Sequence, residues 1–125
     1  MASIISIFFA PQDASQDCRK VLEALLGCSF RLEANGELSR YTAHSVGLEF
    51  VWFNNHGLTN DLGIAFESYP FELDISVDRR GIDATIADSY HQYASRYVFE
   101  LIKDRLGWKA ALVHNLQHLL ATFPT

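Results

Sequence analysis

The chain has little of what would announce covalent or metal chemistry. Only two cysteines, Cys18 and Cys28, occur in 125 residues. Their spacing matches neither a zinc knuckle nor a C-x-x-C redox pair, so neither a thiolate cage nor a disulfide framework is signalled. They read as buried thiols of a reducing compartment. Glycine-rich phosphate loops, Walker sequences and G-x-S-x-G elbows are missing, which removes the positive arguments for an enzyme. Positive charge is also short, with ten Lys and Arg against fifteen Asp and Glu. Arg79-Arg80-Gly81 is too small a basic cluster for nucleic acid, and the acidic total opposes phosphate binding. No apolar stretch approaches the roughly 20 residues of a membrane span. The run Ile4 to Phe9 has no Lys or Arg ahead of it and is closed by Pro11, so it reads as a buried strand rather than a signal peptide. A cytoplasmic protein without cofactor, nucleic-acid or membrane partner is expected.

What is present is a core. Hydrophobic residues make up 49% of the chain, with nine Phe, five Tyr and two Trp, far from disordered or low-complexity composition. This length gives one domain over residues 1–125, able to bury roughly two thirds of its unfolded surface. Ile4 to Ala10 is apolar on both sides, as a central strand would be. Asp13 offers an N-cap to a helix striped by Cys18, Val21, Leu22, Leu25 and Leu26, stopped by Gly27. Phe30 and Leu32 alternate with charges, Asn35-Gly36 marks a hairpin turn, and a meander continues through Tyr41 and the strand of Leu48, Phe50 and Trp52. From Leu58 to Tyr69 periodicity is lost, a connection long enough to suggest function or mobility.

Phe71 to Asp78 has the cleanest period-two pattern, with Phe, Leu, Ile and Val on one face and Glu, Asp, Ser and Asp on the other. Asp83 caps a long helix whose stripe runs through Ile86, Tyr90, Tyr93, Ala94, Tyr97, Val98 and Leu101 to Gly107. Trp108 to Val113 predicts a last buried strand. Asn115 then caps a short C-terminal helix presenting Leu116, Leu119, Leu120 and Phe123. The expected fold is α+β, a mixed and mostly antiparallel sheet packed by two main helices and a short C-terminal one, in the order β-α-β-β-β-β-α-β-α.

The candidate site follows from charge. Residues 61–88 carry Asp61, Glu67, Glu72, Asp74, Asp78, Asp83 and Asp88 against Arg79 and Arg80, a balance of −5 that equals the net charge of the whole chain. Carboxylates at i and i+2 on one strand face stand about 7 Å apart and repel. That face is either ordinary solvated strand or a steering surface for a basic partner. A third reading makes Glu72, Asp74 and Asp78 hard ligands of a metal-dependent hydrolase, without a partner motif to support it. Tyr90, Tyr93 and Tyr97 share one helical stripe and serve either as core packing or as interface anchors. His114 and His118 have i, i+4 spacing but no third ligand, and His44, His56 and His91 are isolated.

Asp61-Leu62-Gly63-Ile64, Tyr69-Pro70-Phe71-Glu72-Leu73-Asp74, the Tyr-rich helix and Leu112-Val113-His114-Asn115-Leu116-Gln117 together give the second half a layout that resembles small bacterial immunity proteins of polymorphic-toxin and contact-dependent growth-inhibition systems. The resemblance covers roughly residues 48–125. It implies a cytoplasmic, non-catalytic protein that neutralises a cognate toxin domain, often a nuclease, by covering its active site or an adjacent surface. The alternative is a regulatory or adaptor domain. The partner-binding residues expected from charge and exposure are Asp61, Glu67, Glu72, Asp74, Asp78, Asp83, Tyr90 and Tyr93.

Overall fold

The initial apolar run becomes strand β1 (Ile5–Ala10), buried on both sides. The computed structural model describes residues 3–12, 17–35, 38–54 and 56–125. Helix α1 (Cys18–Leu26) begins at Asp17, whose side chain accepts the Lys20 N–H, and ends at Gly27 in the left-handed region. Asp13, the expected cap, lies outside the described residues, as does Gly36 of the expected Asn35-Gly36 turn. The meander follows as β2 (Arg31–Asn35), β3 (Leu38–Ser45) and β4 (Leu48–Phe53). Next come β5 (Phe71–Val77) and α2 (Ala84–Leu101), capped by Asp83 through the N–H groups of Thr85 and Ile86. A wider π-type turn, Ile102–Leu106, extends α2 to Gly107. Strands β6 (Lys109–His114) and β7 (His118–Phe123) complete the chain order.

The seven strands form one sheet in the order β2-β3-β4-β5-β1-β6-β7, and every neighbouring pair is antiparallel. The α+β class, the antiparallel pairing and the interior placement of β1 and β6 agree with the sequence reading. The C-terminal helix does not. Asn115 and Leu116 both take positive φ, at 50° and 59°, and Gln117 N–H donates to the His114 carbonyl, turning the chain back. Asn115 is clipped to β1: its side chain accepts the Ile4 N–H, and its own N–H donates to the Ile4 carbonyl. The residue expected to start a helix instead builds a hairpin turn, a conformation that Asn tolerates well. A register shift opposite Leu112 and Val113 sets Leu119 against Val113 and Ala121 against Leu112, leaving Leu120 as the extra residue. That irregularity imitates helical spacing in the sequence.

The two sheet faces are covered differently. One carries Ile7, Phe9, Trp52, Leu73 and Leu112 beneath the helices, with Leu22 of α1 and Phe99 of α2 fully buried against them. On the other, Phe8, Ala111 and Val113 lie under Ile64, Phe66 and Tyr69 of the long connection before β5. His56 pins that connection: its Nε2 lies 2.6 Å from the Tyr69 carbonyl, and its Nδ1 accepts the Leu58 N–H at 2.9 Å. The segment expected to be irregular and functional is therefore a lid over apolar sheet.

Helix α2 also presents a different face from the one expected. Its buried residues are Ala87, His91, Ser95, Val98 and Phe99, continued by Ile102 in the π-type turn. Ile86, Tyr93 and Tyr97 are 63%, 77% and 64% exposed. Val98, Phe99 and Ile102, crowded at the C-terminal end, decide which side faces the sheet. Following that side back by i−4 steps selects Ser95, His91 and Ala87 rather than the tyrosines. No helix among the described residues is long and apolar enough to cross a membrane.

Candidate functional site

The acidic segment does not form one surface. Asp61 bridges to Ile64, and its carboxylate accepts the Leu62 N–H. Glu67 and Asn60 exchange bonds, each side chain accepting the other's backbone N–H at 2.9 Å. Both acids belong to the lid before β5. Asp78 and Asp83 follow its far end. Arg80 grips Asp78 through Nε and Nη2, and that pairing holds its carboxyl at about 2. Asp83 is the α2 cap, and Asp88 is paired with Arg79 at 2.5 Å. Each of these exposed acids has a local structural bond.

Glu72 and Asp74 correct the expected open face. The alternation is right, but Glu72 is only 5% exposed and Asp74 is half-buried. Glu72 stands between Phe53 of β4 and Phe8 of β1, while Asp74 stands between Val51 and Ser6. Ser6 Oγ donates to Asp74 Oδ1 at 2.6 Å. Burial, then the hydrogen bond and charge of Asp74, push the Glu72 carboxyl far above the carboxylate range. Glu72 is thus a neutral hydrogen-bond donor inside the fold, not a charge for steering a partner. Asp78 points to Arg80, so the three acids of the hydrolase reading do not converge. Among the described residues no three His, Cys, Asp or Glu side chains cluster as metal ligands.

What the structure does bring together is aromatic. Tyr90, Tyr93 and Tyr97 of α2 line a groove of about 420 Å³, together with Leu26 of α1, Val46 of the β3–β4 turn and Leu48 of β4. Tyr90 Oη donates to the Val46 carbonyl at 2.5 Å, and Asp78 N–H donates to the Gly47 carbonyl, so the turn is fastened from two sides. Among the described residues, no charged side chain lines this groove. The expectation of Tyr90 and Tyr93 as partner-binding residues falls on it, joined by Tyr97.

A second cleft, of about 750 Å³, lies on the other flank of α2, against β1 and the β6–β7 hairpin. It escaped the sequence reading, which treated His91 as isolated. His91 is 1% exposed, and its Nε2 lies 2.6 Å from the Ile75 carbonyl. Burial lowers its affinity for a second proton. Ser95, one turn on, is fully buried and also lines the cleft. Ala87, His91 and Ser95 recur at i, i+4 and i+8, a small and polar stripe that was visible in the sequence but overshadowed by the tyrosines. His114 and His118 face each other across the hairpin with ring centroids 6.3 Å apart, as a strand pair and not as a helical one. Compared with known proteins, the chain matches no family model and no curated sequence.

Proposed function

We propose that the chain is a binding protein that captures one basic protein partner on the tyrosine-rimmed groove. The partner would be a bacterial toxin domain neutralised in the cytoplasm, in the manner of the immunity proteins that the second half resembles. The observation that carries this reading is the exposure of Tyr93 and Tyr97 at 77% and 64% beside an uncharged apolar groove. Tyrosine supplies large, rigid contact area at low entropic cost and is enriched at binding hot spots. Its ring faces also attract Lys and Arg, and a net charge of −5 draws such a partner in from a distance. An aliphatic side chain in the groove, flanked by basic residues over the tyrosines, is the complementary surface. The exposed acids then serve as background field rather than as contacts, and an adaptor role would use the same surface.

The test is co-production with the product of the adjacent reading frame, scored by growth and by affinity. Tyr93→Ala with Tyr97→Ala is expected to weaken binding at least about tenfold and to abolish protection. Stability should stay within about 0.5 kcal/mol, as for surface sites. A neighbour that neither inhibits growth nor binds, or wild-type affinity in the double variant, overturns the reading.

A further inference from the structure

We propose that β7 is a self-pairing edge, on which a second copy of this chain lays its own β7 antiparallel and joins the two sheets into one. This goes beyond the protein-capture reading and uses a different surface. Among the described residues β7 is the outermost strand on its side of the sheet, so the backbone groups on its outer side have no strand partner. A free edge of this kind is a template for another strand, and proteins ordinarily blunt it with charge, proline or a bulge. The opposite edge is blunted by charge. There β2 carries the exposed Arg31 and also Glu33, which is bonded to Arg40 and Thr42 of β3. β7 has the bulge beside Leu120 but neither a charged residue nor a proline within it. Past the bulge, Ala121, Thr122 and Phe123 pair in regular register with β6, which leaves their outer side regular as well.

Charge and symmetry select a second copy as the occupant. Residues 110–125 contain no Asp, Glu, Lys or Arg, although the chain holds fifteen acids and ten bases. A net charge of −5 makes two copies repel over most approaches, and this hairpin offers one free of that repulsion. A basic protein partner, drawn to the acids elsewhere, has no electrostatic reason to choose this edge. Both faces of the edge are apolar. Leu119, paired with Val113 on the lid side, is 46% exposed, and Leu120, beside the α2 cleft, is 45% exposed. A two-fold axis through an edge strand generates antiparallel pairing of that strand with itself, so the N–H and C=O groups of one copy meet those of the other. The side chains brought together are His, Leu, Ala, Thr and Phe, with no fixed like charges opposed.

The experiment is sedimentation equilibrium of the full chain, joined to amide hydrogen exchange at two concentrations. A monomer–dimer equilibrium is expected with Kd below about 100 μM, weak for a dimer of standard interface size. The β7 amides that point away from β6 should exchange at least about threefold more slowly at about 500 μM than at about 5 μM, by mass action. The β2 amides should not change. Leu119→Lys places a cation in both copies at the shared edge and should raise Kd at least about tenfold. Leu32→Lys at the β2 edge and Ile86→Lys on α2, both at exposed residues, should leave Kd unchanged. The exchange measurement needs no variant, so it decides even where Leu119→Lys fails to fold. A chain that stays monomeric at the higher concentration, protection that arises on α2 rather than on β7, undiminished association in Leu119→Lys, or an equal loss in either control each overturns the proposal.

Discussion

Glu72 keeps its proton because it lies between Phe8 and Phe53 and beside Asp74, and this couples its chemistry to folding. Its folded value is raised above the unfolded 4.5. The resulting stability is complete below that pH and is lost as pH rises toward the folded value. His91 works in the opposite sense, because burial depresses it below its ordinary 6.5. Its contribution is present above pH 6.5 and is lost as pH falls through the folded value. The two slopes oppose one another just below pH 6.5 and leave only the Glu72 decline above it. Urea midpoints of the wild type should therefore fall above about pH 6.5, and less steeply just below it. Glu72→Gln can donate the same bond to Asp74 without ionising. It should remove the decline, raise stability at pH 8 by about 1–2 kcal/mol, and uncover a rise on approaching pH 6.5 from below. An equally steep decline in the variant would place its source elsewhere. None of this was legible from the strand pattern, which gave the face of Glu72 but not what covered it.

Among the elements, α1 and the strands up to β5 were readable because their periods are undisturbed. Within α1 the stripe was right, yet the residue at its centre is Leu22, which is fully buried, while Leu25 is half-buried at the groove. Leu22→Ala is expected to cost about 2–5 kcal/mol through the cavity it leaves. Leu25→Ala should cost distinctly less, since its site opens on solvent. Denaturant unfolding of both variants measures the order, and a larger loss at Leu25 would contradict this packing. β7 misled because Leu116, Leu119, Leu120 and Phe123 keep helical intervals, and only the bulge beside Leu120 reconciles them with a strand. α2 misled because its apolar arc is wide, so periodicity alone did not choose between the tyrosine side and the His91 side.

Across the whole molecule, the connection before β5 decides what the acidic segment is. A sequence count of charge located an imbalance but could not show that Ile64, Phe66 and Tyr69 close over the sheet between those acids. Phe66 packs edge-on against Phe8 with centroids 4.9 Å apart. Phe66→Ala should cost about 3–5 kcal/mol, the range for buried aromatics, measured by urea unfolding. A cost below about 1 kcal/mol, typical of surface sites, would return the segment to the status of a loose recognition loop. The tyrosine groove, by contrast, was half legible: the residues were named, and what was missing was that the helix turns them outward.

The sheet order also has a consequence in time. β1 pairs with β5 and β6, strands that follow it by about 60 and 100 residues of chain, whereas β2 to β4 and the β6–β7 hairpin close locally. Local hairpins form in about 1–10 μs, while contacts so distant in sequence set the pace in milliseconds to seconds. Joining β1 to its two neighbours is therefore expected to be the slow step. Until β1 arrives, β5 and β6 each present an open hydrogen-bonding rim, the state in which such chains pair with the wrong neighbour.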